Sequence, residues 1–395
     1  MRFSRVIIFL LWALAAFASC SDDKSVSERE YGGVPYPYRH YDDAMDFLYG
    51  VNADYPEITK IEYIGSSVRG RAIVGIVISS GESKGKPRVR LTGSIHGNEY
   101  ISGEILFRFI DYLTSEYLFD NSVTELLKER CIVIIPIFNP DGHESGRRYN
   151  ANNVDLNRNF LFYGKNSSRS SYHGKTAFDQ PESSAMMDYS NKRFHLSITF
   201  HSGEVIVNLP FDYGTRSENI IPNENELLWE LGGIYADSGE VHIFKENPDI
   251  YRYAVGGVIN GGDWYVVDGS FQDWNYMKAG CIDMTVEVAR SSPLTQSGIE
   301  EVFLYNRDSL LAYIEAAGNG VWGKVIDEHG EPIEGAAIRR AGVEDFVVYT
   351  DADGYFMRLL EKDCLSTEFY FSKEGYAPES VDVNNKDGIS VTLKR

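Results

Sequence analysis

The arrangement of apolar residues constrains the fold of this chain more than any other feature, because short strand-like runs alternate with longer runs of helical period. Arg88–Thr92 has the character of a strand, and apolar residues at helical spacing follow it, namely Ile101, Ile105, Leu106, Phe109, Ile110 and Leu113. Further strand-like runs cover 131–138, 194–200 and 281–288, and helix-like runs cover 182–189 and 224–236. Strands that alternate with helices predict an α/β domain with a mixed, largely parallel central sheet flanked by helices.

Two histidines stand at the ends of predicted strands. His96 opens the sequence His96-Gly97-Asn98-Glu99 in the loop after the first strand, and His201 directly follows the run at 194–200. Ligands of parallel sheets gather at the carboxyl ends of the strands, so these positions are candidates for a functional site. The run at 131–138 is predicted to close in a turn formed by Asn139-Pro140-Asp141-Gly142.

The pattern changes near residue 317. From there the apolar runs are short and alternating, and turn signals at 327–330, 351–354 and 373–375 separate them. We therefore predict two domains, a larger α/β domain at 31–317 and a small all-β sandwich at 319–395.

The amino terminus predicts export from the cytoplasm. Residues 1–19 combine two arginines, a short apolar run and small residues, which is typical of a signal peptide. The sequence Phe17-Ala18-Ser19-Cys20 resembles a bacterial lipobox with Phe in place of Leu, so we expect Cys20 to be lipidated and to begin a tether at 20–30. The predicted location is the bacterial cell envelope, with membrane contact through Cys20 only. Ordinary secretion with a chance cysteine is the alternative.

Composition and charge exclude several classes of partner. Hydrophobic residues make up 43% of the chain and charged residues 24%, which is an ordinary globular mixture. The formal net charge of −20 argues against binding of nucleic acid or anionic lipid through a basic surface. The cysteines lack metal-ligand spacing, so buried thiols at Cys131 and Cys281 are expected rather than a disulfide framework.

The histidines at the strand ends suggest a metal site. His96 and Glu99 lie three residues apart in one loop, which alone is a weak signal, and His201 supplies a third candidate from a separate strand. Two histidines and a carboxylate with an open fourth position are the ligand set of a catalytic zinc ion rather than a structural one. Such a site keeps a net charge of about +1, which acidifies a bound water toward neutral pH.

Four further stretches of the sequence bear on function, and they lie at 145–160, 261–265, 272–276 and 285–288. Together with the His-Gly-Asn-Glu sequence they resemble the zinc metallocarboxypeptidase family, and specifically the branch that contains carboxypeptidases N, E, D and M. The resemblance covers nearly all of 31–395. It implies an enzyme that holds one zinc ion per chain and hydrolyses the C-terminal peptide bond of peptides or proteins. The region at 319–395 resembles the transthyretin-like module that follows the catalytic domain in this branch.

The resemblance also implies which residues carry out the reaction. His96, Glu99 and His201 match the zinc ligands. Glu287 matches the catalytic base that activates the zinc-bound water, and Arg148 matches the arginine that polarises the scissile carbonyl. No matched position of the reaction machinery is lost, so the resemblance favours an active enzyme over a silent one. The stretch between Cys20 and the catalytic domain is too short for a long activation segment, so we expect the enzyme to be made in active form.

The substrate-binding residues that the resemblance implies are Asn157, Arg158, Tyr265, Asp212 and Gln272. Asn157 and Arg158 match the pair that binds the terminal carboxylate, and a planar guanidinium suits that task because it can bind a carboxylate through two hydrogen bonds. Tyr265 lies 22 residues before Glu287 and matches the mobile tyrosine that closes on the same carboxylate. Tyr276 is the alternative for that role, and the spacing favours Tyr265.

Asp212 matches the acid that pairs with a C-terminal Lys or Arg side chain, and Gln272 matches a residue of the same pocket. A desolvated Asp212 would favour a basic residue over an apolar one by about 2–5 kcal/mol. Glu204 departs from the branch and adds a second acid close to a metal ligand. Phe271 and Tyr213 are further departures at the margin of this pocket.

Two alternative functions remain open from the sequence. One is a zinc-dependent deacylase of N-acyl amino acids, whose relatives share the His-Gly-Asn-Glu start but lack the Asp212 pocket and the Tyr265 segment. The other is a catalytically silent, peptide-binding lipoprotein. The leading prediction is a monomeric exopeptidase that acts on peptide or protein C-termini and releases Lys or Arg.

Overall fold

The computed structural model describes residues 33–163, 173–238, 253–383 and 388–395. The predicted signal peptide, Cys20 and the tether lie outside the described residues. The α-helices of the described residues are α1 (Tyr41–Asp54), α2 (Tyr100–Glu116), α3 (Asn121–Glu129), α4 (Pro140–Ser145), α5 (Pro181–Tyr189), α6 (Asn225–Ser238), α7 (Gly261–Trp264), α8 (Phe271–Trp274) and α9 (Gln296–Ala316).

A mixed sheet forms the centre of the molecule. Its described strands are β1 (Thr59–Ser66), β2 (Ala72–Ile78), β3 (Arg88–Thr92), β4 (Cys131–Ile135), β5 (Leu196–His201), β6 (Val205–Leu209), β7 (Val258–Asn260) and β8 (Ile282–Val288). They are arranged in the order β1-β2-β4-β3-β5-β8-β6-β7. The central strands β4, β3, β5 and β8 run parallel, whereas β2 and β6 join them antiparallel on either side. The predicted α/β class with a largely parallel central sheet is confirmed.

The centre of the sheet is covered on both faces. Every residue of β4, β5 and β8 is buried. Along β4 the side chains alternate between two apolar cores, with Ile132 and Ile134 in one and Cys131, Val133 and Ile135 in the other. A parallel sheet with helices on both faces requires this pattern, because neither face meets water.

The segment after β4 differs from its prediction. Asn139 and Pro140 begin the short helix α4 instead of a turn. The Asn139 side chain accepts a hydrogen bond from the backbone N–H of Gly142 at 2.9 Å, and Pro140 occupies the first helical position. The turn prediction was wrong because an Asn-Pro pair also fits an N-cap followed by proline at the start of a helix.

The C-terminal region contains two smaller β-sheets. Its strands are β9 (Gly320–Asp327), β10 (Ala337–Arg340), β11 (Val348–Tyr349), β12 (Tyr355–Leu359), β13 (Thr367–Ser372), β14 (Glu379–Val383) and β15 (Ile389–Leu393). One described sheet has the order β11-β10-β13-β14, and the other has the order β12-β9-β15. We call this part of the chain the β region, and its all-β character agrees with the prediction.

A buried ionic cluster connects the β region to the rest of the molecule. Glu224 is 1% exposed and lies immediately before α6. Its carboxylate pairs with Arg358 and, at 3.0 Å, with Nη1 of Arg340, which both belong to the β region. Loss of one partner from a buried pair leaves an uncompensated charge, so this cluster ties the two parts together.

None of the described helices is both long enough and apolar enough to cross a membrane.

Candidate active site

The three predicted metal ligands come from separate segments and meet at the carboxyl edge of the central sheet. His96 lies in the loop after β3, Glu99 caps the start of α2, and His201 ends β5. Nδ1 of His96 lies 2.7 Å from Oε1 of Glu99 and 3.1 Å from Nδ1 of His201. Nδ1 of His201 lies 2.9 Å from Oε2 of Glu99. All three side chains are buried, so their contacts are shielded from water.

These atoms form a donor set that fits a divalent metal ion. One ligand atom from each of His96, Glu99 and His201 lies within 4.8 Å of the other two. Two imidazole nitrogens and a carboxylate that lie this close together can all bind one cation placed between them. Two histidines, one carboxylate and a cavity alongside them are the arrangement of a catalytic zinc site.

Asp155, to which the sequence assigned no role, orients two of the predicted residues. Its Oδ1 lies 3.1 Å from Nε2 of His96, and its Oδ2 accepts from Nε of Arg148 at 2.9 Å. A carboxylate on Nε2 leaves Nδ1 of His96 available for a metal, which is a common role for an acid next to a metal-binding histidine. The only sequence signal for Asp155 was its residue type, since Asp is favoured at helix N-caps. The structure places it at such a position, where its side chain accepts from the backbone N–H of Asn157 at 3.0 Å.

Glu287 lies beside the predicted metal ligands on the adjacent strand. It is the register partner of His201 between β5 and β8. The side chain is buried, and its Oε2 has no hydrogen-bond partner among the described residues. Burial raises the pKa of Glu287 to about 7, while His201 opposes that rise and the Glu99 carboxylate adds to it. A carboxylate with a free oxygen and this pKa is suited to accept and return a proton near neutral pH.

A cavity of about 270 Å³ lies next to the metal ligands. It is lined by nine of the predicted residues, namely His96, Glu99, Arg148, Asn157, Arg158, His201, Asp212, Tyr265 and Glu287. Nη1 of Arg148 lies 3.6 Å from Oε1 of Glu99, which brings a guanidinium to the metal side of the cavity. Tyr265 is 49% exposed and therefore lies at the rim.

The backbone around the two carboxylate-binding candidates is fixed by hydrogen bonds. The Asn157 side-chain oxygen accepts from the backbone N–H of Phe271 at 2.9 Å. Nη1 of Arg158 donates to the carbonyl oxygen of Asn157 at 2.8 Å, so other nitrogens of its guanidinium remain for a ligand. The pair is thus oriented before any substrate binds.

Asp212 lies in the wall of the same cavity and is 4% exposed. Its Oδ1 accepts from the Asn208 side chain at 3.1 Å, and its backbone N–H donates to the carboxylate of Asp273 at 3.0 Å. The N-terminus of α7 approaches so closely that a Cβ on Gly261 would lie 1.9 Å from Oδ1 of Asp212, which only glycine permits. The loop that carries Asp212 is therefore rigidly held.

Asp212 and Asp273 influence each other's ionisation. Burial raises the pKa of Asp273 well above its usual range, and the Asp212 charge raises it further. Burial also raises the pKa of Asp212, while hydrogen bonds from Ser270 and Asn208 and the charge of Arg158 lower it. Ionisation of one of the two carboxyl groups is easier than ionisation of both. A cationic side chain of a ligand would favour ionisation of Asp212.

Gln272 lies outside the cavity, whereas Glu204 lines it. Gln272 is 1% exposed and lies in α8, outside the cavity lining, and its amide atoms have no hydrogen-bond partner among the described residues. Glu204 does line the cavity, and its Oε1 lies 3.7 Å from Nε of Arg290.

Tyr276, the alternative to Tyr265, is fully buried, and its hydroxyl donates a hydrogen bond to Oδ1 of Asp345 at 3.1 Å. Tyr276 is therefore a core residue.

Comparisons with known proteins agree with this geometry. Residues 44–309 match the family model described as zinc carboxypeptidase. The chain is 32% identical over 386 residues to carboxypeptidase D of Anas platyrhynchos, a match that covers 92% of this chain and 27% of that longer protein. It is 30% identical over 391 residues to the carboxypeptidase N catalytic chain of Mus musculus, covering 89% of this chain and 84% of that one.

Among solved structures, the chain resembles carboxypeptidase A from Helicoverpa armigera. The TM-score is 0.60 at 22% sequence identity, and the match covers 79% of this chain and 80% of the other. At this identity the likeness supports the fold and not the specificity.

Proposed function

The chain belongs to the zinc carboxypeptidase family, and from that premise we propose that it removes C-terminal Lys or Arg from peptides and proteins. The observation that carries the proposal is the buried carboxylate of Asp212 in the same cavity as Arg158 and the three metal ligands. A guanidinium that can hold a terminal carboxylate and an acid that can hold a basic side chain are what such a substrate requires.

The reaction needs few groups beyond the metal. When bound by His96, Glu99 and His201, a zinc ion supplies a Lewis acid that polarises a carbonyl and lowers the pKa of water. Glu287 takes a proton from the attacking water and returns it to the leaving amine. The Arg148 guanidinium stabilises the negative charge that develops on the carbonyl oxygen, a contribution of about 3–4 kcal/mol per donor in other enzymes.

Substrate orientation falls to the remaining cavity residues. Arg158 and Asn157 bind the terminal carboxylate, and Tyr265 closes over it from the rim. Asp212 then meets the ammonium or guanidinium of the last side chain. Because the Asp212 carboxylate is buried, a substrate with an apolar last side chain would leave it without a cation from the substrate, and this penalty produces the selectivity.

A panel of peptides that differ only in the C-terminal residue tests this proposal. We expect release of Arg and Lys at rates about 10²-fold or more above those of Leu or Ala, since a buried charge pair contributes several kcal/mol. A chelator should abolish release, and added zinc should restore it. Failure to release any of the twenty residues would refute the peptidase assignment. Deacylation of N-acyl amino acids without peptide cleavage would favour the alternative enzyme.

We also propose that the protein is a monomer anchored to a bacterial envelope membrane through lipid on Cys20, and that 319–395 form a transthyretin-like module. The signal-peptide pattern followed by the lipobox-like sequence supports the anchor, and the two small sheets of the β region support the module. We expect Cys20→Ala to release the protein from the membrane fraction while peptidase activity is unchanged. Membrane association that persists in this variant would contradict lipid anchoring.

A further inference from the structure

A second cleft lies at the opposite edge of the central sheet from the candidate active site. It has a volume of about 290 Å³ and is formed on one side by residues that precede β3, β5 and β8. On its other side lie β9, β11 and β12 of the β region. The proposed catalytic residues are at the carboxyl ends of the same parallel strands, so this cleft is a separate site.

Cationic side chains are concentrated in this cleft. Five of them line it, namely Lys84, Lys86, Arg88, Lys192 and Arg193, whereas only two lining residues are acidic, Asp351 and Asp353. The lining therefore carries a formal charge of +3 (5 − 2) in a chain whose net charge is −20. A local excess of this kind creates a positive potential within the cleft, where an anion would be concentrated.

Three of the five cations have no ion pair among the described residues. Lys84 pairs with Asp353 at 2.9 Å, and Lys192 pairs with Glu62 outside the lining at 2.7 Å. Lys86 donates only to neutral oxygens, including the carbonyl of Ser80 at 2.6 Å. Arg88 and Arg193 face aromatic rings instead of carboxylates, and this leaves positive charge available to a ligand.

Within the described part of the chain, Arg88 is an unpaired cation that lies between the cleft and an aromatic ring. Its guanidinium carbon lies 5.2 Å from the ring centre of Phe194, and its backbone N–H donates to Nδ1 of His195 at 2.9 Å. Its Nε and Nη2 atoms are buried and have no hydrogen-bond partner among the described residues. These two nitrogens are closed off from solvent, so a ligand in the cleft would be attracted by the unpaired positive charge of the guanidinium.

We propose that this cleft binds a phosphate group, and that Arg88 is the residue at its centre. A phosphate monoester carries nearly two negative charges and several acceptor oxygens, which matches an excess of three cations better than a single carboxylate does. The guanidinium of Arg88 has no ion pair among the described residues, so its positive charge is available to such a group. Trp322, Tyr349 and Tyr355 provide aromatic walls for the group that carries the phosphate.

Titration calorimetry with inorganic phosphate and with glucose 6-phosphate tests the proposal on the full-length protein. We expect both to bind, and Arg88→Gln to weaken binding by about tenfold or more, because an unpaired positive charge is removed from the cleft. Asp353→Asn should tighten binding by about two- to fivefold, since it removes an acid from the lining and frees Lys84. Lys128→Gln is the matched control, because Lys128 is an exposed cation of α3 away from the cleft.

Vesicles that contain phosphatidic acid identify the source of the phosphate. Co-sedimentation that is lost in Arg88→Gln would assign the site to a lipid headgroup, and binding of glucose 6-phosphate alone would assign it to a soluble ester. Equal affinity in all variants would overturn the proposal, as would no binding of either soluble probe. Binding that survives Arg88→Gln but is lost in Arg158→Gln would place the anion in the active-site cavity and would also overturn it. If Arg88→Gln does not fold, the opposite effects of Lys84→Gln and Asp353→Asn provide the same test.

Discussion

Substitution of Glu287 by Gln is expected to reduce kcat about 10³-fold or more while zinc content and substrate affinity stay close to normal. The carboxylate lies beside the metal ligands as the register partner of His201, and its Oε2 is free of hydrogen bonds among the described residues. Gln has the same shape but cannot take a proton, so only the transfer to and from water is lost. General acid–base groups typically contribute about 10²–10⁴-fold, which sets the expected size of the loss.

Two measurements separate loss of the base from loss of the site. Metal analysis of Glu287→Gln should give one zinc per chain, and a competitive inhibitor that binds Arg158 should bind as in the parent protein. Glu301→Gln is the matched control, since Glu301 is an exposed residue of α9 and should have normal activity. A near-normal rate in Glu287→Gln would require a different proton acceptor, and Glu204 would then be the next candidate because it lines the same cavity.

The sequence allowed prediction of features that depend on local pattern. The period of apolar residues predicted β3, β5 and β8, and the positions of His96 and His201 at strand ends predicted where a site would form. Parallel strands bring their carboxyl ends to one edge, so residues 105 positions apart along the chain come within 3.1 Å. This step needs only strand direction, which explains why the sequence could predict that His96 and His201 come together.

Features that depend on tertiary contact could not be predicted in this way. The hydrogen bonds of Asp155 with His96 and Arg148 arise from loops that meet only after folding. The contact of Asp273 with the backbone of Asp212 joins α8 to the loop after β6 in the same way. The excess of cations at 84–88 and 192–193 appears in the sequence as scattered surface charge, and only the fold places these residues in one cleft.

Selectivity should depend on Asp212 more than on any other cavity residue. We expect Asp212→Asn to lower kcat/KM for C-terminal Arg and Lys by about 10²–10³-fold, because a buried carboxylate that pairs with the substrate cation is removed. Release of Leu or Ala should become faster, since an apolar side chain would no longer leave a buried charge unpaired. The ratio of the two rates should therefore change by about 10³-fold or more, and most of the change for basic substrates should appear in KM.

The distribution of the effect identifies its cause. Asn keeps the shape of Asp212 and can still accept from Asn208, so the loop beside Gly261 should hold its position and zinc content should be unchanged. Asp188→Asn, an exposed substitution in α5, is the matched control and should leave both rates as they are. An unaltered preference for basic residues in Asp212→Asn would mean that another acid, with Glu204 the remaining carboxylate at the cavity wall, recognises the side chain. If kcat/KM instead falls equally for basic and apolar substrates, Asp212 supports the cavity as a whole. Selective recognition of the basic side chain predicts that the two values move in opposite directions.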